Sequence, residues 1–296
     1  ATERRDVVSG AFVALSVLLW LRAQRNGAAR TKLLALSIAM FAASLLSKVS
    51  GMTLPFALLA LDAWPLRRFE QLGRRALLLE KLPYFVLALG GAALGYVGQR
   101  VSTEYLAGID AEPLGMRLAI SGHALRLYVE KTLLPLGLSP FYEMPAEVSA
   151  LSATYLPWIV LTLLVTVVLF ALRRRSVLFA SAWTAWLVFC VLIAPVIGIV
   201  HAGRQIAADR YTYLPSFAVA GAVAAACVAA PLRRFALLVV LALLPLSALT
   251  WRQTGVWRDS ETLFTRVLAV EPNGRLAHHQ LGILAHKRGD EVAALD

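Results

Sequence analysis

Residues 201–216 read HAGRQIAADRYTYLPS, and the reading of this stretch decides the fold. It sets His201, Arg204, Asp209, Arg210, Tyr211 and Tyr213 at the junction of two apolar runs, 176–200 and 211–232, neither of which holds a charged side chain. Ionised groups are costly inside hydrocarbon and collect at its boundary. Two readings follow. Arginine and tyrosine can simply anchor helix ends at the headgroup level. Alternatively, a planar guanidinium beside phenol donors makes an anion site suited to a lipid-linked phosphate.

Composition places the junction at a membrane. Hydrophobic residues make up 59% of the 296-residue chain and charged residues 16%, against about 25% charged in soluble domains; the mean hydropathy is +0.68. The net charge of +11 is not the mark of a nucleic-acid binder, because no cluster interleaves basic residues with exposed stacking aromatics. The basic residues fall instead in short loops between apolar runs, as the positive-inside rule expects. The expected partner is a lipid bilayer. Cys190 and Cys227 sit at different depths of neighbouring antiparallel spans and are not expected to bridge. His278 and His279 are adjacent, hence on different helix faces, and no second ligand pair accompanies them. Neither a metal nor a cofactor is expected.

Taken in order, the chain opens ATERRDVVSG, which has no initiator methionine and no signal-peptide pattern, and is expected to be truncated at both ends. Residues 7–21 form a first span leading to Arg22, Arg25, Arg30 and Lys32, which marks that side as cytoplasmic. Residues 33–47 return outward, and 49–61 come back to Asp62 and the basic loop from Arg67 to Lys81. Asp62 is expected to pair with Arg67 or Arg68, or to stand simply as a helix-end residue. Residues 82–99 cross outward with Gly90, Gly91, Gly95 and Gly98 permitting close helix approach. Residues 100–154 form an external stretch carrying Glu104, Asp110, Glu112, Glu143 and Glu147. Within it, 116–134 is too charged to span and is predicted to be an amphipathic surface helix, followed by an extended or turning, proline-rich segment over 133–145. Residues 156–172 lead in to Arg173–Arg175, 176–200 lead out with a kink at Pro195 and Gly198, 211–232 lead in to Arg233 and Arg234, and 235–251 lead out. The predicted fold class is all-α: a polytopic domain of about eight spans over 1–251, then a soluble helical module over 252–296.

In that module Trp257, Phe264, Val267 and Leu268 share a helix face, with Asp259 or Ser260 as the cap, and Glu271-Pro272-Asn273 breaks the helix. The tetratricopeptide pattern, with a period of about 34 residues, places Leu281 and Gly282 at its Leu-Gly pair, Ala294 at the small residue of its second helix and Pro272 at its closing proline. His278 stands where tryptophan is usual and Ala285 where tyrosine is. Single repeats cannot bury their own faces, so further repeats are expected.

Four segments together carry a resemblance: ERRDVVSG at 3–10, SLLSKVSGMTLPFALLALDAWPLRR at 44–68, ADRYTYLPS at 208–216 and VWRDSETLFTRVLAVEPNGRLAHHQLG at 256–282. The chain resembles the bacterial multi-spanning tetratricopeptide-repeat proteins related to the transmembrane and tetratricopeptide-repeat O-mannosyltransferases, of the GT-C glycosyltransferase superfamily. The resemblance implies transfer of a sugar from a polyprenyl-phosphate donor to a protein acceptor at the outer face of the bacterial plasma membrane, with the repeats on that side. It implies a catalytic acid in an external loop upstream of the ERRD segment, outside this chain. Where a glutamate commonly follows the Ser-Lys pair, Val49 stands here.

Arg4, Arg5, Lys48, His201, Arg204 and Arg210 fall at the outer ends of spans in this topology. The substrate-binding candidates are Arg210, Tyr211, Asp209, Arg204, His201, Lys48 and Arg4, placed to hold the donor phosphate; the catalytic residue is unassigned. A membrane anchor displaying repeats as a scaffold is the alternative. A transporter fits less well, since the charges keep to the ends of the spans rather than mid-membrane.

Overall fold

A computed structural model describes residues 4–102, 113–140, 142–144, 148–149, 151–198, 205–229 and 232–291. Among the described residues there are eleven α-helices: α1 (Arg4–Arg25), α2 (Arg30–Ser47), α3 (Leu54–Ala63), α4 (Arg68–Ser102), α5 (Leu114–Leu133), α6 (Leu156–Leu172), α7 (Val177–Ile193), α8 (Ser216–Ala229), α9 (Leu232–Val256), α10 (Ser260–Val270) and α11 (Arg275–Lys287). The all-α expectation holds apart from one short ribbon. In it β1 (Tyr142–Glu143) runs antiparallel to β2 (Gln205–Ala207), with Tyr142 opposite Ala207. The proline-rich segment had indicated extended chain there, but nothing in its sequence named the partner strand.

Among the described residues, five helical stretches are long and apolar enough to cross a membrane: Arg4–Arg25, Arg30–Ser47, Arg68–Gly98, Val177–Val196 and Leu237–Val256. Val49–Ala63, Leu156–Leu172 and Ser216–Ala226 are shorter apolar helices. These stretches overlie the apolar runs of the sequence. Their outward faces remain open: Leu89 and Leu94 are each 71% exposed, and none of the most apolar stretch of Leu237–Val256 is buried. Apolar surface on that scale exceeds what a soluble monomer exposes and suits hydrocarbon.

The chain divides into two compact units, 1–125 with 148–203 and 210–222, and 126–147 with 204–209 and 223–296. Trp251 lies within α9.

In the first unit α1 and α2 form an antiparallel hairpin joined through small polar residues. Ser9 and Ser16 are two turns apart on α1, as are Ser37 and Ser44 on α2, so both pairs face the partner helix. Ser16 Oγ donates to Ser37 O at 2.8 Å, Ser37 Oγ to Ser16 O at 2.7 Å, and the Ser9 and Ser44 hydroxyls lie 2.9 Å apart. Small residues of this kind let backbones approach and hydrogen-bond across a membrane interface. Trp20, Phe41, Leu54, Leu58 and Tyr84 build the apolar core beside them.

The expected basic loop over 67–81 is largely helix. α4 begins at Arg68 and is broken at Gly73, whose φ of 77° no other residue type adopts readily. Past that break Glu80 and Lys81 turn into the protein. Lys81 Nζ lies 2.7 Å from both Asp62 and Glu80, and Arg68 lies 2.6 Å from Asp62 and 2.7 Å from Glu80. Asp62 and Lys81 are fully buried, and Lys81 Nζ stands 4.7 Å from the centre of the Trp20 ring. Arg68 is thus the partner of Asp62, and the Glu80–Lys81 half of the cluster is an addition to the sequence reading.

The charged helix expected at 116–134 is α5, but its apolar face packs on protein. Ala119, Ile120 and Ala124 are fully buried. Gly122 lies against Ile159, where a Cβ would come within 2.9 Å, and Gly198, at φ 91°, leaves room for Ile120. Ala194–Val196 form a 3-10 turn after α7, which is the kink expected from Pro195 and Gly198.

In the second unit α10 and α11 pack through Val267 and Ala277, with Phe264 and Leu268 against them. Asp259 caps α10 by accepting from Thr262 N–H at 2.8 Å.

Candidate functional site

The first turn of α1 and the last turn of α7 meet residues 210–214 in the first unit. α1 begins with Arg4, Arg5 and Asp6, and its residues 6, 9, 10 and 13 share one face. Lys48 ends α2 in extended conformation, with φ −161° and ψ 134°, and a 3-10 turn, Val49–Thr53, leads into α3. Beyond α7, Asp209–Thr212 form another 3-10 turn before α8. These turns bring residues far apart in the chain to one cleft. Asp6, Ser9 and Gly10 line it from α1, Ser50 from the turn after α2, Leu192 from the end of α7, Val196 from the 3-10 turn after it, and Arg210, Tyr211, Tyr213 and Leu214 from the DRYTYLPS segment.

Tyr211 holds two cations. Lys48 Nζ stands 5.6 Å and Arg210 Cζ 4.9 Å from the centre of its ring, both within cation–π range. The Arg210 guanidinium also donates to the Tyr211 hydroxyl at 3.4 Å. Lys48 Nζ lies 2.5 Å from each oxygen of the Asp6 carboxylate, and Ser9 Oγ donates to the Lys48 carbonyl at 3.3 Å. Gly10 allows the Tyr213 ring to rest on α1, since any Cβ there would strike it. The described residues of the cleft and of Lys48 together carry two cations and one carboxylate.

Of the sequence candidates, Lys48, Arg210 and Tyr211 are therefore brought together. Arg4 is exposed on the first turn of α1 and does not line the cleft. His201 and Arg204 lie outside the described residues, as do Glu104, Asp110, Glu112 and Glu147. Asp6 was missed, although it stands in the ERRD segment and is the acidic residue of the first turn of α1.

Asp209 belongs to the second unit and takes a different position. Its carboxylate accepts from Ser139 N–H at 2.5 Å and from the Tyr142 hydroxyl at 3.0 Å, next to the β1–β2 ribbon. Burial pushes its pKa up to about 6, against the opposing pull of these two hydrogen bonds and of Lys131. The Tyr142 phenol is raised in turn, by burial first and then by the Asp209 charge. Asp209 thus holds the loop around Ser139 and Tyr142.

The cleft has a free volume of about 20 Å³, room for roughly one water molecule. Its chemistry suits an anion, through an ammonium and a guanidinium joined on one aromatic face, but the anion must widen it. Comparison of the chain with known protein families, with curated proteins and with solved structures finds no match.

Proposed function

We propose that this chain is part of a membrane glycosyltransferase that moves a sugar from a polyprenyl-phosphate donor to a protein acceptor on the outer face of the bacterial plasma membrane. The observation that supports it best is the placement of Lys48 and Arg210 on opposite sides of the sequence yet on one ring, that of Tyr211. In this reading eight spans carry the basic loops inside, and the outer cleft meets the donor where its phosphate leaves the hydrocarbon. The two cations hold the phosphate and stabilise the charge that grows on it as the sugar–phosphate bond breaks. The carboxylate that activates the acceptor lies, by the family resemblance, in a loop upstream of the ERRD segment. α10 and α11 open a tetratricopeptide array that presents the protein acceptor.

The scaffold reading, a membrane anchor displaying the helical pair, is favoured by the size of the cleft, which as it stands takes only a water. Binding separates the two. The chain in nanodiscs containing polyprenyl phosphate, set against nanodiscs containing the uncharged polyprenol, should bind the phosphate lipid in preference. Equal partition of the two lipids would favour the scaffold.

A further inference from the structure

The Asp6–Lys48 pair bears on which phosphate the cleft accepts. We infer that Asp6 is a specificity-determining residue: a fixed counter-charge that favours a singly charged phosphodiester, the linkage of the sugar-loaded donor, over the more highly charged monoester left after transfer. The inference rests on the phosphate reading of this cleft.

Asp6 sits in the first turn of α1, where a carboxylate faces the positive end of the helix dipole. Its side chain is 13% exposed and that of Lys48 30%, so the pair is partly withdrawn from solvent and weakly screened. Lys48 is gripped at two points by one face of α1, its ammonium by Asp6 and its carbonyl by Ser9. Asp6 itself lines the cleft. An anion entering there therefore meets Lys48 already engaged, with a negative charge beside it.

The repulsion from that charge grows in proportion to the charge of the ligand. A phosphodiester carries one negative charge. A phosphomonoester carries about −1.5 to −2 near neutral pH, so it is penalised more by Asp6 whatever else holds Arg210. After transfer the ligand changes from the first kind to the second, and the same carboxylate that tolerates the donor weakens the hold on the spent lipid. A small cleft strengthens the effect by keeping the two anions close.

The test compares Asp6→Asn with the wild-type chain in nanodiscs, using two probes: a polyprenyl methyl phosphate as diester and polyprenyl phosphate as monoester, with polyprenol as the uncharged reference. Asparagine keeps the shape and an oxygen for Lys48, so the fold is retained; Glu70→Gln, which removes an exposed carboxylate outside the cleft, serves as a second variant. Wild type should prefer the diester. Asp6→Asn should tighten the monoester about tenfold more than the diester, and Glu70→Gln should leave the ratio where it was. A ratio unmoved by Asp6→Asn, with both phosphates still bound better than polyprenol, overturns the inference and leaves the phosphate site standing. Failure of either phosphate to exceed polyprenol overturns both.

Discussion

The Glu143 carboxylate caps α11 from 132 residues away: Oε2 accepts from Arg275 N–H at 3.1 Å and Oε1 from Leu276 N–H at 2.5 Å. Glu271 returns the contact, accepting from Glu143 N–H at 3.1 Å. The first N–H groups of a helix have no partner within it, and Gly274, at the cap position, has no side chain to offer. Glu143 supplies what the local sequence lacks, and so ties the strand β1 to the helical pair inside the second unit.

Glu143→Ala should therefore loosen the start of α11. A lost cap costs about 0.5–2 kcal/mol, equivalent to roughly a twofold to thirtyfold change in local opening. Hydrogen exchange at Arg275 and Leu276 should quicken by that amount, with Glu143→Gln in between because its amide oxygen still accepts. Unchanged exchange at both amides would show that the cap contributes nothing.

Asp209 should give the second unit a pH dependence of definite sign. Its folded pKa, about 6, lies above the ordinary 3.8 because burial disfavours the charge. The folded state thus holds its proton more tightly than the unfolded chain. The stability it contributes is complete below about pH 3.8 and is lost as pH rises through about 6. Glu271 is also raised, by burial and then by the nearby Glu143 charge, so the informative quantity is the difference between wild type and Asp209→Asn. Wild type should lose thermal stability relative to the variant between pH 5 and pH 7. Parallel curves across that range would contradict the assignment.

The buried cluster around Asp62 predicts a large effect with a specific rescue. Asp62→Ala leaves Lys81 buried with one counter-charge fewer, and breaking such a pair costs about 3–5 kcal/mol. The variant should melt well below wild type in detergent. Removing both charges, as Asp62→Leu with Lys81→Met, should restore much of the loss, since apolar side chains of similar size replace a buried ion pair at little cost. A double variant no better than the single one would mean that the charges are not acting as a pair.

The helices were legible because hydrocarbon leaves the backbone one choice: each span must satisfy its own N–H and C=O groups, and the apolar run alone marks it. α6 falls on residues 156–172 as expected; α5, too charged to span, was legible instead from the helical spacing of its apolar residues and falls within two residues of its predicted ends. The cleft was legible in part. Lys48, Arg210 and Tyr211 were recognisable as polar groups at span ends, but their meeting on one ring depends on turns whose geometry no periodicity encodes. Asp6 was on view in the ERRD segment, and a search for acids opposite Lys48 across the α1–α2 hairpin would have found it. Glu80, Lys81 and Glu143 were hidden for another reason. Their partners come from distant segments, and Gly73, which turns Glu80 and Lys81 inward, was read as part of a basic loop.

Arg210 carries the central claim. Charge-assisted hydrogen bonds contribute about 1.5–3 kcal/mol each, so Arg210→Ala should weaken binding of polyprenyl phosphate in nanodiscs by roughly tenfold to a hundredfold. Arg210→Lys should recover only part, because an ammonium keeps the charge but not the planar fork. An interfacial anchor makes no such distinction, since lysine and arginine snorkel alike. The deciding measurement is the affinity of wild type, Arg210→Lys and Arg210→Ala for that lipid, in matched nanodiscs and with folding checked by size-exclusion profile. Affinity falling in that order is the result predicted here; equal affinity across the three would contradict it.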